Sequence, residues 1–310
     1  MSQRWDGQQE KGSFLLLRLT LWLYRCLGRR IFMLILSVII WWYWLFARQA
    51  RQFSCEYLQH LHQYAGSQSP FPALPNEWHS YQHLKQFGMS ILDKMTAWLG
   101  IIPEQELQLF GHEHLQQYYG KGAIILVSHF GNIELLRAVK SEHVQMVNVL
   151  VYRKHAEQFN AFLRSINPKA GVRLISVDDI GVDTALLLQQ RLDAGEWIIV
   201  AADRIPINSQ RQQNVCFLGQ QSMWPEGAWL LAHVLNAPVL AVFCYRYQQQ
   251  WQVHIHSISQ NLQLSRHNRT GQLQNYMQQY VQLVEQHCLR APYQWFNFYD
   301  FWQQTPVQNR

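Results

Sequence analysis

The sequence predicts an α/β fold in which a mixed sheet is flanked by helices and preceded by an N-terminal hydrophobic helix. Three observations carry this. Apolar runs of strand length recur through the middle of the chain: "GAIILVSH" (122–129), "VQMVNVLVY" (144–152), "GVRLISV" (171–177), "EWIIVAAD" (196–203) and "APVLAVFCYR" (237–246). Between them lie "IELLRAVKS", "HAEQFNAFLRSI", "VDTALLLQQRLDAG" and "EGAWLLAHVLN", whose apolar residues recur at helical spacing; strands alternating with helices fold as helix layered on sheet. Residues 31–47, "IFMLILSVIIWWYWLFA", carry no charge between Arg30 and Arg48.

The uncharged run comes first in the chain. At about 1.5 Å per residue it spans roughly 25 Å, slightly short of a ~30 Å hydrocarbon core. Its cluster Trp41, Trp42, Tyr43 and Trp44 suits a headgroup interface. The run starts late and lacks a small-residue cleavage site, so it reads as an uncleaved membrane anchor that crosses once or lies in one leaflet. A buried core helix is the competing reading. Arg18, Arg25, Arg29, Arg30, Arg48 and Arg51 flank the run. With a net charge of +6 and a pI of about 9.1, they point to lipid headgroups. No signature of a nucleic-acid-binding module is present.

Residues 1–65 thus form an N-terminal helical membrane-anchoring region, and "GSQSPFPALPNE" (66–77) is a linker rich in turn residues. Residues 78–310 form the α/β domain. Near its end "WQVHIHSIS" alternates in polarity and extends the sheet, and "NYMQQYVQLVEQH" reads as a closing helix. A hydrophobic content of 48% is too high for a disordered chain and too low for a polytopic membrane protein. The cysteines, Cys26, Cys55, Cys216, Cys244 and Cys288, contain no C-x-x-C pair and indicate neither a disulfide framework nor a zinc site.

One stretch carries chemistry. In "SHFGNIE" (128–134) a strand ends at His129, Gly131 permits a turn, Asn132 is placed to cap a helix, and Glu134 falls in its first turn. His129 and Glu134 diverge on a continuous helix but meet across such a turn. The glutamate can then orient the imidazole, leaving the other ring nitrogen to take a proton from a substrate hydroxyl; a strand-end histidine with an unrelated capping glutamate is the competing reading.

"SHFGNIE" resembles the H-x4-D/E motif of the lysophospholipid acyltransferase-like superfamily, and its Phe-Gly-Asn filling is most similar to the lipid A biosynthesis (late) acyltransferase branch. "VYRKHAEQFNAFLRSI" (151–166), "AADRIP" (201–206) and "FLGQQSMWPEGAWLLAHVLNAPVLAVF" (217–243) resemble further blocks of that branch in the same order. The C-terminal "PYQWFNFYDFWQQ" keeps Pro292 and Trp295 but ends aromatic and acidic, where the branch tends to end basic. The resemblance implies acyl transfer from a thioester to a hydroxyl, with His129 as base and Glu134 as its orienter. Gly131 and Asn132 belong to the turn whose backbone donors support the oxyanion. Arg153, Arg164, Asp203, Arg204, Glu226 and Gly227 are candidate substrate contacts, the arginines for phosphate or phosphopantetheine oxygens. No metal or redox cofactor is required.

The expected activity is therefore a membrane-bound O-acyltransferase. Its donor is an acyl carrier protein or CoA thioester, and its acceptor a lipid A-like glycolipid or an aryl-polyene-type lipid. The expected location is a bacterial inner membrane, with the catalytic body facing the cytoplasm. A membrane-associated glycosyltransferase and a non-catalytic membrane scaffold are the alternatives. The first wants a D-x-D-like metal site, which "VDDIG" does not supply, and the second has no need of ordered polar motifs.

Overall fold

The computed structural model describes residues 14–98, 107–134, 146–151, 172–176, 181–206, 211–248 and 250–302. Helix α1 (Phe14–Phe46) is interrupted at Gly28, whose φ of 72° and ψ of 167° are not helical. Glycine takes this conformation because it has no Cβ to clash. At Ala47 the chain turns into α2 (Arg48–Ala65). Among the described residues no single helix is long and apolar enough to cross a membrane. The stretches Ile31–Phe46 and Arg48–Gln68, bent by 95°, qualify only when taken together. The uncharged run 31–47, expected to cross once or to lie in one leaflet, is thus continued only by the polar α2, which turns away at Ala47.

Helix α3 (Glu77–Trp98) packs on both α1 and α2. Gly88 permits the approach: a Cβ there would run into the Ile40 side chain. The 66–77 connection therefore joins helices of one layer.

The seven-stranded sheet has the order β1-β9-β8-β2-β5-β3-β4. Its strands are β1 (Leu107–Phe110), β2 (Ala123–Val127), β3 (Val147–Val151), β4 (Val172–Ser176), β5 (Trp197–Ala201), β8 (Val239–Tyr247) and β9 (Gln250–Ser259). Neighbours are parallel except for the antiparallel β8–β9 pair. The strands read from the sequence are all present, and β9 extends the sheet as the alternation of "WQVHIHSIS" indicates. Strand β1 and the short α4 (His112–Gln116) went unread, because four half-exposed residues carry almost no periodic signal.

Buried on both faces, β2 alternates between two cores. Ile124 and Leu126 join the larger core with α2, α5 (Val182–Asp193), α6 (Gly227–Val234), α7 (Arg269–Arg290) and the C-terminal segment. Ala123, Ile125 and Val127 pack on the other face with Trp251 and Val253 of β9. A separate hairpin, β6 (Gln212–Phe217) and β7 (Gln220–Pro225), turns at Leu218 and Gly219. Both have positive φ, as a two-residue hairpin of matching twist demands.

The cores hold neutral histidines. Burial lowers His83 from the ordinary 6.5 to about 3, His254 to about 4 and His287 to about 2. The unfolded chain takes up protons on these rings below about pH 6.5 while the folded chain does not, so stability falls as pH drops through that value. Each ring costs on the order of 1.4 kcal/mol per pH unit below it. Burial raises the carboxyls of Glu56, Glu226 and Glu285, which acts in the opposite sense as pH falls through their raised values and is complete near the ordinary 4.5. The urea midpoint in mild detergent should therefore fall between pH 7 and pH 5.5; a midpoint that holds or rises contradicts neutral burial.

Candidate active site

Strands β2 and β5 are adjacent and parallel, with Val127 opposite Ala201. Two residues beyond each carboxyl end stand His129 and Asp203, which the register therefore brings face to face. Such ends are where open α/β sheets place their ligand groups. The His129 main-chain N–H donates to Asp203 Oδ2 at 2.7 Å, and ring Nδ1 lies 2.8 Å from Asp203 Oδ1. The indole N–H of Trp295 donates to Oδ2 at 3.3 Å. A carboxylate accepts only, so Nδ1 carries the proton and Nε2 presents a lone pair.

The Asp203 side chain is 2% exposed, while that of His129 keeps 38% and is open to an incoming group. Burial and the nearby Arg204 guanidinium hold the imidazole below its ordinary value against the opposing pull of Asp203. Burial pushes the Asp203 carboxyl up, but His129 and Arg204 outweigh it and hold the group below the usual carboxylate value. At neutral pH the pair is a neutral base held by an anion.

This alters the division of labour read from the sequence. Glu134 lies in a short 3₁₀ turn, where its N–H donates to Asn132 Oδ1 at 3.1 Å. Among the described residues the hydrogen bond of the His129 ring goes to Asp203, so the orienting position assigned to Glu134 is taken by a residue from the next strand. The turn between them is tightly fixed. Gly131, with φ of 60°, sits where a Cβ would run into the Cys244 carbonyl. Its N–H donates to Gln294 O at 2.7 Å, and the Asn132 N–H donates to Cys244 O at 2.6 Å. The sequence pointed to backbone donors near the Gly131 turn without specifying which; the Gly131 and Asn132 N–H groups of that turn are both engaged. The buried Asn132 Nδ2, by contrast, has no partner among the described residues.

The other candidates separate. Arg153 and Arg164 lie outside the described residues. Arg204 donates to Phe296 O at 3.0 Å and lies over the Tyr299 ring, which ties it to the C-terminal segment. The carbonyl of Glu226 accepts the N–H groups of Trp229 and Leu230, starting α6. Burial raises its carboxyl, while Arg211 and Arg269 oppose the rise. No described hydrogen bond links Glu226 to the His129–Asp203 pair. At Gly227 an added Cβ would meet nothing, so no steric need for glycine exists there.

Sequence reasoning noted Trp295 but gave it no role. Its segment braces the site: the Phe296 N–H donates to His129 O at 2.8 Å, and the Tyr57 hydroxyl donates to Pro292 O at 2.9 Å. His83 Nε2 lies 2.8 Å from Trp295 O, and a carbonyl only accepts, so Nε2 bears the proton. Its Nδ1 then accepts from the Ser54 hydroxyl at 3.0 Å. A hydrogen-bonded strut thus runs from α2 through α3 and Trp295 to Asp203.

A family model described as bacterial lipid A biosynthesis acyltransferase matches residues 80–304. No curated protein matches the chain.

Proposed function

Because the chain belongs to the bacterial lipid A biosynthesis acyltransferase family and is an acyltransferase, we propose that it moves a fatty acyl group from an acyl carrier protein or CoA thioester to a hydroxyl of a lipid A-like glycolipid. The observation that carries this is the neutral His129 imidazole, held through Nδ1 by Asp203, with no hydrogen bond at Nε2 among the described residues. Nε2 removes the proton as the acceptor oxygen attacks the thioester carbonyl. The tetrahedral oxyanion collapses, the carbon–sulfur bond breaks, and the departing thiolate takes the proton back from the imidazolium. Asp203 stabilises that imidazolium between the two steps. We assign the unspent Asn132 Nδ2 donor to the developing oxyanion, which preorganised donors stabilise.

The reading places this chemistry at the cytoplasmic face of the bacterial inner membrane. Its support is the row of exposed apolar and aromatic side chains on α1, among them Leu34, Val38, Trp42 and Phe46. A contiguous patch of this kind on a basic protein suits one leaflet of a bilayer. The test is incubation of purified protein in detergent with acyl carrier protein and CoA thioesters and a phosphorylated glucosamine-based lipid precursor. Mass spectrometry should show the acceptor heavier by one acyl chain. Thioester consumption with an aryl-polyene lipid as the sole acylated acceptor overturns the glycolipid assignment; no transfer to any hydroxyl overturns the reaction.

A further inference from the structure

A cavity lies at the α1–α2 bend, and His129 is not among its lining residues. It measures about 460 Å³, and its lining includes Arg48, Arg51, Gln52, Glu56, Gln59 and Glu77. Arg48, Gln52, Glu56 and Gln59 recur at intervals of three or four along α2 and so share one face of the helix. The charges on that face are not satisfied by one another. Arg51 reaches Glu77 at 3.7 Å and lies over the Trp44 ring, but its Nε is buried without a partner. Among the described residues Arg48 and Glu56 form no ion pair. The charge felt by Glu56 is another carboxylate, Asp300, which together with burial makes Glu56 a weaker acid. Among the described residues the cavity thus presents the Arg48 guanidinium and the Arg51 Nε donor without an anion, beside the Glu56 carboxylate without a cation.

The geometry points to a headgroup site for a zwitterionic phospholipid bearing a primary ammonium, with its phosphate on Arg48 and Arg51 and its ammonium on Glu56. Guanidinium groups bind phosphate oxygens through paired N–H donors. A primary ammonium has N–H donors for Glu56 and for the Gln52 and Gln59 carbonyls. A quaternary ammonium instead calls for an aromatic cage, and the described lining contains no aromatic side chain. The position fits a lipid: the exposed face of α1 ends here, with Trp42 60% and Phe46 69% exposed just before Arg48. This placement rests on the membrane-docking reading above.

Full-length protein should co-float with phosphatidylcholine vesicles enriched in phosphatidylethanolamine about tenfold more tightly than with phosphatidylcholine alone, the worth of one charge-assisted hydrogen bond. Glu56→Gln should erase that gain, and Arg48→Gln should weaken binding to both kinds of vesicle. Glu56→Gln should leave binding to phosphatidylglycerol vesicles unchanged, since only the ammonium contact is removed. Equal binding to all vesicles, a gain that survives Glu56→Gln, or binding that Arg48→Gln leaves unchanged overturns the site while leaving docking intact. If no vesicle is bound, the docking reading fails, and calorimetric titration with water-soluble glycerophosphoethanolamine decides the site alone. Saturable binding that Glu56→Gln abolishes supports it, and no binding overturns it.

Discussion

His129→Ala should reduce acyl transfer by about 10²- to 10⁴-fold, the range typical of losing a general base, while the protein stays folded. The ring carries the nitrogen assigned as base, and its removal leaves the Trp295 indole and the main-chain N–H of residue 129 as the described donors to Asp203. Near-UV circular dichroism should overlay that of the wild type, separating loss of chemistry from loss of fold. No acyl-enzyme should accumulate in wild type or variant. Burial pushes the thiols of Cys244 and Cys288 well above their ordinary value, so neither is a nucleophile near neutral pH. Near-normal transfer by His129→Ala, or an acyl group trapped on a cysteine or serine, contradicts direct base catalysis.

The sequence made the strands and the His129 turn legible because both are local signals. Five apolar runs announce the central strands, and Gly131 and Asn132 announce a turn whose geometry the structure repeats. The partner of His129 is not a local signal. It lies 74 residues away and is paired only by the register of β2 against β5. A usable clue existed in that two apolar runs each end in a polar, chemically capable residue, "LVSH" and "VAAD". The paired ends become visible once the strands are known to be neighbours. Trp295 was hidden for a related reason: a tryptophan in an irregular aromatic segment reads as core, and its indole N–H acquires a role only where the chain places it against Asp203. The break in α1 was legible in principle at Gly28, but the apolar run beyond it dominated the pattern.

Asp203→Asn should lower kcat by roughly 10⁴-fold, the effect of the equivalent change where an aspartate holds a catalytic histidine, and far more than Glu134→Gln. Three N–H groups converge on the Asp203 carboxylate, from the His129 main chain, His129 Nδ1 and Trp295 Nε1. An asparagine offers them one oxygen and one NH₂. If its NH₂ faces the ring, Nδ1 must accept, the proton moves to Nε2, and the base is lost. The sign of the pH effect follows from the same charge. Asp203 raises the His129 value while burial and Arg204 lower it, so removing the carboxylate moves the imidazole further down. Residual activity, which requires neutral imidazole, should then keep its acid limb at lower pH than in the wild type. Glu134→Gln leaves the described Asp203 contact of Nδ1 intact and should leave that limb in place. A pH–rate series on the two variants decides between the carboxylates. Near-wild-type kcat in Asp203→Asn, with a hundredfold loss and a shifted limb in Glu134→Gln, returns the orienting role to Glu134.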